Sequence, residues 1–159
     1  MPSANNIAYT APINPPGETP LSRDQVWAGL LLKIRSAETF VPSAIESTEV
    51  LSESVEPSTG NAVTIREVAF RDSKLRIQET VMAFEPCRVE FEQANTSVSN
   101  VISEGADGSL YLTYIFEWRH PGCSPEELAK KLGKEKRMSQ LSVEGTIKVL
   151  RQLAEAGRL

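Results

Sequence analysis

The spacing of apolar residues changes period twice along this chain. Val26, Trp27, Leu30, Leu31 and Ile34 recur at the i, i+3, i+4 intervals of an amphipathic helix. Ser22, with Gln25 three residues on, forms a capping box that starts it, and Ser36 marks its end. Glu38 to Pro42 reads as a single helical turn closed by the proline. Residues 7–16 read as a short strand running into a proline-rich connection, with Pro12 confining that strand to an edge. From Ile45 onward the period shortens to two. Six strands are predicted over 45–53, 62–70, 74–84, 88–93, 97–104 and 110–119. The breaks carry turn residues and are short, so neighbouring strands pair as antiparallel hairpins. Ser124, Pro125 and Glu127 then open a second long helix, with Gly133 expected to kink it and Gly157 to stop it. Its broad apolar face is Val143, Thr146, Ile147, Val149, Leu150, Leu153 and Ala154. The expected fold is α+β, with seven antiparallel strands curled round the C-terminal helix and two short helices after the first strand. The first strand is expected to return and pair with the last, which removes one exposed edge. A sheet that grips a helix this way leaves room for a cavity between them.

Composition narrows the function by exclusion. The 159 residues carry a net charge of −4 and are 40% hydrophobic, which suits one domain over 1–159. An acidic balance disfavours gripping nucleic acid through its phosphates or docking on anionic lipid. No apolar run approaches the ~18 residues of a membrane span. The first residues lack the basic and apolar regions of a secretory signal, so a cytoplasmic location is expected. Cys87 and Cys123 lie far apart and form no CxxC, which fits a reducing compartment. With a single histidine, His120, neither a metal site nor a Ser-His-Asp triad is expected. The chain also lacks a phosphate-binding glycine loop and a GxSxG elbow.

Cross-strand parity singles out one charged pair. If Asp72-Ser73 is a two-residue turn, Phe70 faces Leu75, Val68 faces Ile77 and Arg66 faces Glu79. Phe70, Val68, Leu75, Ile77 and Val81 then share an apolar face with the two charges. Arg66 and Glu79 there are either a cavity-lining base with its electrostatic partner or a structural salt bridge at the sheet margin. In the last strand Leu112, Tyr114, Phe116 and Trp118 form the inward face, either as core or as a surface on which an aromatic ligand stacks. The turn at Gly105–Gly108 pairs Tyr114 with Ser99 and would bring Ser97, Ser99 and Ser103 inside. The turn at Ala94-Asn95 instead groups Phe91 with Val98 and Asn100, so the two parities conflict. Trp27 on the first helix is core or the border of a pocket mouth. Lys130, Lys131, Lys134, Lys136 and Arg137 read as a solvated helix face. His120 reads as the end of a strand.

Several separated motifs resemble one family. They are Leu21 to Lys33, Phe40-Val41-Pro42, Val98-Ser99-Asn100, Leu110 to Arg119 and Val143 to Ile147. Together they are similar to the AtaL-like group of the helix-grip superfamily shared by START domains, Bet v 1 allergens and polyketide cyclases. The resemblance spans roughly residues 5 to 157. It implies a deep ligand cavity and a setting in secondary metabolism, and it carries no catalytic motif to transfer. The expected activity is a cofactor-independent cyclase acting on a polyketide-like intermediate, with a carrier of hydrophobic metabolites as the alternative. Glu79 is the candidate base, Arg66 the oxyanion stabiliser and Tyr114 a hydrogen-bond donor. Trp27, Val68, Phe70, Ile77, Val81, Phe91, Ser99, Leu112, Phe116, Trp118, Ile147 and Leu150 are the candidate ligand contacts. The expected partner is a hydrophobic small molecule.

Overall fold

The computed structural model describes residues 2–159. The order is β1 (Ala4–Pro12), α1 (Arg23–Arg35), α2 (Ala37–Phe40), β2 (Ile45–Val55), β3 (Ala62–Phe70), β4 (Arg76–Phe84), β5 (Arg88–Gln93), β6 (Thr96–Glu104), β7 (Leu110–Arg119) and α3 (Pro125–Glu155). The strands form one antiparallel sheet in the order β1-β7-β6-β5-β4-β3-β2, so β1 does return to pair with β7. This is the expected helix-grip arrangement. Both capping boxes form: Ser22 accepts from the Gln25 amide and Ser124 from the Glu127 amide.

Three details differ from the sequence reading. α3 runs unbroken through Gly133; one glycine lowers helix propensity by only ~1 kcal/mol, which burial on either side outweighs. β4 begins at Arg76 rather than Lys74, because Arg71 to Ser73 turn and Lys74 takes a left-handed backbone, φ 59°. Leu75 is therefore exposed rather than inward. The β6–β7 register is set by a five-residue loop, Gly105 to Ser109, closed by the Gly105 amide on the Ser109 carbonyl at 2.8 Å. Ile102 then faces Leu112, Asn100 faces Tyr114 and Val98 faces Phe116. Ser97, Ser99 and Ser103 fall on the opposite face, which resolves the parity conflict in favour of the Ala94-Asn95 turn.

Val26, Leu30, Val81, Val89, Leu112, Val143 and Leu150 build the core between sheet and helices. Each such side chain, fully buried, contributes ~1.5–3 kcal/mol of transfer free energy. α1 lies tightly against α3 at Gly29, where an added Cβ would lie 2.0 Å from Leu150 Cδ2. That contact seats α1 against α3.

Candidate functional site

The β3–β4 register pairs Arg66 with Glu79, and both are buried, at 4% and 9% exposure. Arg66 Nη2 donates to Glu79 Oε1 at 3.0 Å. Its Nη1 donates to the Lys33 and Ile34 carbonyls at 2.8 and 2.9 Å. These belong to the last turn of α1, where carbonyls have no partner within the helix and a cation complements the helix dipole. Arg66 therefore pins the end of α1 to the sheet while holding Glu79. Nη1 thus donates twice and Nη2 once, which leaves for the expected role of oxyanion stabiliser the second Nη2 hydrogen and Nε, buried without a hydrogen-bond partner among the described residues. Glu79 Oε2 makes no hydrogen bond among the described residues.

Lys33 is the residue sequence reasoning missed. It lies seven residues after Val26 and three after Leu30, on the apolar stripe of α1. A lysine at a stripe position was the available signal. The chain is half-buried and its ammonium turns inward, donating to Asn100 Oδ1 at 2.9 Å and to the Tyr114 hydroxyl at 2.8 Å. Burial, with the Arg66 charge nearby, lowers the Lys33 pKa to about 7, against a smaller opposing pull from Glu79. Nζ also sits 4.4 Å from the Tyr114 ring centroid and 5.3 Å from that of Phe91. The Tyr114 hydroxyl lies 2.6 Å from Thr146 Oγ1, and Thr146 donates to the Ser142 carbonyl at 2.8 Å. The donors therefore run in one direction, from Lys33 through Tyr114 and Thr146 to Ser142. Burial pushes the Tyr114 pKa up, so the phenol stays neutral.

These groups open on a cavity of about 220 Å³ between the sheet, the α1–α2 corner and α3. Of the expected residues, Arg66, Glu79, Tyr114, Val68, Phe70, Phe91 and Phe116 line it, joined by Lys33, Ala37, Val41, Ile45, Gln93, Val98, Ser142 and Thr146. The others are placed elsewhere. Trp27, Val81, Leu112, Ile147 and Leu150 pack in the core. Ile77 is half-buried opposite Val68 without lining the cavity. Trp118 stacks on Phe116, with centroids 5.2 Å apart, and borders outer depressions beside His120. Ser99 pairs with exposed Ile115 on the outer face, so it is not a cavity contact.

A second hollow, of about 370 Å³, shares Val41, Ser142 and Thr146 with the cavity and opens outward between the α2 corner and α3. Its rim is apolar: Val41, Met138 and Leu141 are exposed. Gly145 belongs to this rim, and a Cβ there would meet nothing within 4 Å. The hollow abuts the cavity through these shared residues and is taken as its mouth. Away from it, buried Glu135 accepts from Asn5 and contacts His120 Nε2 at 2.9 Å, tying α3 to β1 and to the end of β7. Among the described residues no helix is long and apolar enough to cross a membrane.

The model of one family, described as acetylaranotin biosynthesis cluster protein L, matches residues 7–157. The chain belongs to the AtaL family. The fold is similar to that in the crystal structure of Ara h 8.0201, with a TM-score of 0.60. That likeness covers 96% of this chain and 99% of the other at 11% sequence identity, so it speaks for the fold. No curated protein matches the chain. For this AtaL family member the match spans both walls of the cavity, from β1 through α1 to α3.

Proposed function

We propose that this AtaL family member is a cofactor-independent cyclase of secondary metabolism that closes a ring in a polyketide-like intermediate. The observation that carries the reading is the convergence of Glu79, Lys33 and Tyr114 on one cavity whose remaining walls are mostly apolar. Ring closure by aldol condensation and dehydration, or by lactonisation, needs a base, a group that polarises a carbonyl oxygen and a shape that folds the chain. Glu79 is the base: Arg66 fixes one carboxylate oxygen, and the other is available to a C–H or O–H proton. Lys33 is the electrophilic partner: in its ammonium form it has a third N–H beyond those given to Asn100 and Tyr114, whereas the single Tyr114 proton is engaged by Thr146. Phe91 and Phe116 supply faces on which an unsaturated ligand stacks. The chemistry requires no cofactor.

The second reading, a carrier of a small hydrophobic metabolite, draws support from the mostly apolar walls of the cavity, whose size limits the ligand in either reading. At about 220 Å³ it is smaller than the ~300–1,000 Å³ of typical ligand pockets. One experiment separates the two. Wild-type protein and Glu79→Gln are incubated with synthetic poly-β-keto thioesters, and both turnover and binding are followed. A cyclase loses turnover by ~100-fold or more in the variant while still binding. A carrier shows binding in both proteins and no cyclised product above the protein-free control. That second result overturns the proposal.

A further inference from the structure

The geometry points to Lys33 as a covalent carbonyl trap: its amine captures an aldehyde or ketone carbon of the ligand as an imine within the cavity. This rests on the reading of the cavity as a site for carbonyl chemistry and names the ligand's reactive group.

The hydrogen-bond pattern around Nζ carries the argument. A neutral amine has two N–H bonds and one lone pair. Both N–H bonds have an acceptor, Asn100 Oδ1 at 2.9 Å and the Tyr114 oxygen at 2.8 Å. Tyr114 is held as an acceptor because its own proton faces Thr146, whose proton faces the Ser142 carbonyl. No hydrogen bond takes up the lone pair, and Lys33 lines the cavity. Lys33 forms no salt bridge with any carboxylate among the described residues, although six lysines lie exposed elsewhere. The charged and titratable groups around it are Arg66 on β3, Glu79 on β4 and Tyr114 on β7. β5, β6 and α3 present only the uncharged Phe91 and Gln93, Asn100, and Ser142 and Thr146. Burial and the Arg66 charge keep a large share of the amine neutral near pH 7, where a surface lysine is almost wholly protonated.

The step balances without oxidant or reductant. The Nζ lone pair attacks the carbonyl carbon, the C–N bond forms and the C=O π pair moves to oxygen. One N–H proton passes to that oxygen to give a carbinolamine. The second leaves with the hydroxyl as water, and the C=N bond forms. A proton from solvent on the imine nitrogen gives an iminium, which acidifies the adjacent C–H bonds, and Glu79 lies in the same cavity to remove one.

The test uses 2,4-pentanedione, a small 1,3-diketone, with cyanoborohydride to fix any imine, followed by intact mass and peptide mapping of the full-length protein. Expected is one adduct, on Lys33, formed at pH 7.5 at least ~10-fold faster than on any surface lysine, with a rate that levels off above about pH 8. Surface lysines instead react ~10-fold faster with each pH unit over that range. Lys33→Arg and Lys33→Met should both lose the selective adduct, and Glu79→Gln should keep it. Labelling spread evenly over the lysines of the wild-type protein overturns the proposal, and that result needs no variant to fold. Cyclisation lost in Glu79→Gln without a Lys33 adduct in the wild type would sink the trap and leave the cyclase standing. A Lys33 adduct with no turnover anywhere would do the reverse.

Discussion

Lys33→Met tests the electrostatics of the cavity without any ligand. In the unfolded chain Lys33 holds its proton up to pH ~10.5, whereas in the fold it gives it up near pH 7. Between those values the unfolded state binds more protons, so the contribution of Lys33 to stability rises with pH. Below pH 7 both states are protonated and the penalty for a charged Lys33 is fully present. From pH 6 to 9.5 the linkage amounts to about two and a half units at ~1.4 kcal/mol each, or about 3.5 kcal/mol. Solvent reaching a half-buried side chain brings this to about 2 kcal/mol. Methionine cannot titrate, so the variant lacks this rise. Urea unfolding of both proteins at pH 6 and pH 9.5 gives the difference, from which titrating groups that do not interact with Lys33 cancel. The absolute sign at one pH is not diagnostic, because methionine also leaves Asn100 Oδ1 and the Tyr114 oxygen without their donor. Wild type should gain on the variant by about 2 kcal/mol across the range. A difference that stays flat within ~0.5 kcal/mol, or reverses, refutes the claim that the fold keeps this amine largely neutral.

Other perturbations probe the frame. Arg66→Ala should cost ~3–5 kcal/mol in urea unfolding, because it strands a buried carboxylate and uncaps α1; a cost below ~1 kcal/mol would mean the pair is solvated. Gly29→Ala should destabilise by ~1–3 kcal/mol, since its Cβ overlaps Leu150, and Leu150→Ala should partly rescue it in a double-mutant cycle. Gly145→Phe should leave the thermal midpoint within a few degrees while slowing ligand uptake by ~10-fold or more. Unchanged uptake would place the mouth elsewhere. Ser22→Ala should cost ~1 kcal/mol by removing the cap of α1.

Most of the scaffold was legible because its signals are local. The capping boxes and the period-two runs depend on neighbours in the chain, and they placed the helices and strands to within a few residues. The pairing of Arg66 with Glu79 was legible for the same reason: it follows from one hairpin register. Ser99 was not, since its face depends on the β6–β7 loop spanning five residues rather than four. Lys33 escaped for a different reason. Its position on the apolar stripe is visible, but whether a long chain turns outward or inward depends on what the sheet offers it. That offer is Asn100 and Tyr114, which lie 67 and 81 residues away. The engagement of Arg66 with α1 carbonyls is likewise a long-range contact with no trace in either strand.

The double duty of Arg66 constrains how this cavity can change over time. One guanidinium fastens the end of a helix and holds the proposed base, so position 66 cannot be retuned for a new ligand without first giving α1 another anchor. Gln93, Val98 and Gly145 carry no such obligation. Diversification of chemistry on this scaffold should therefore accumulate at the walls and the mouth, with the arginine at the floor held by folding rather than by catalysis.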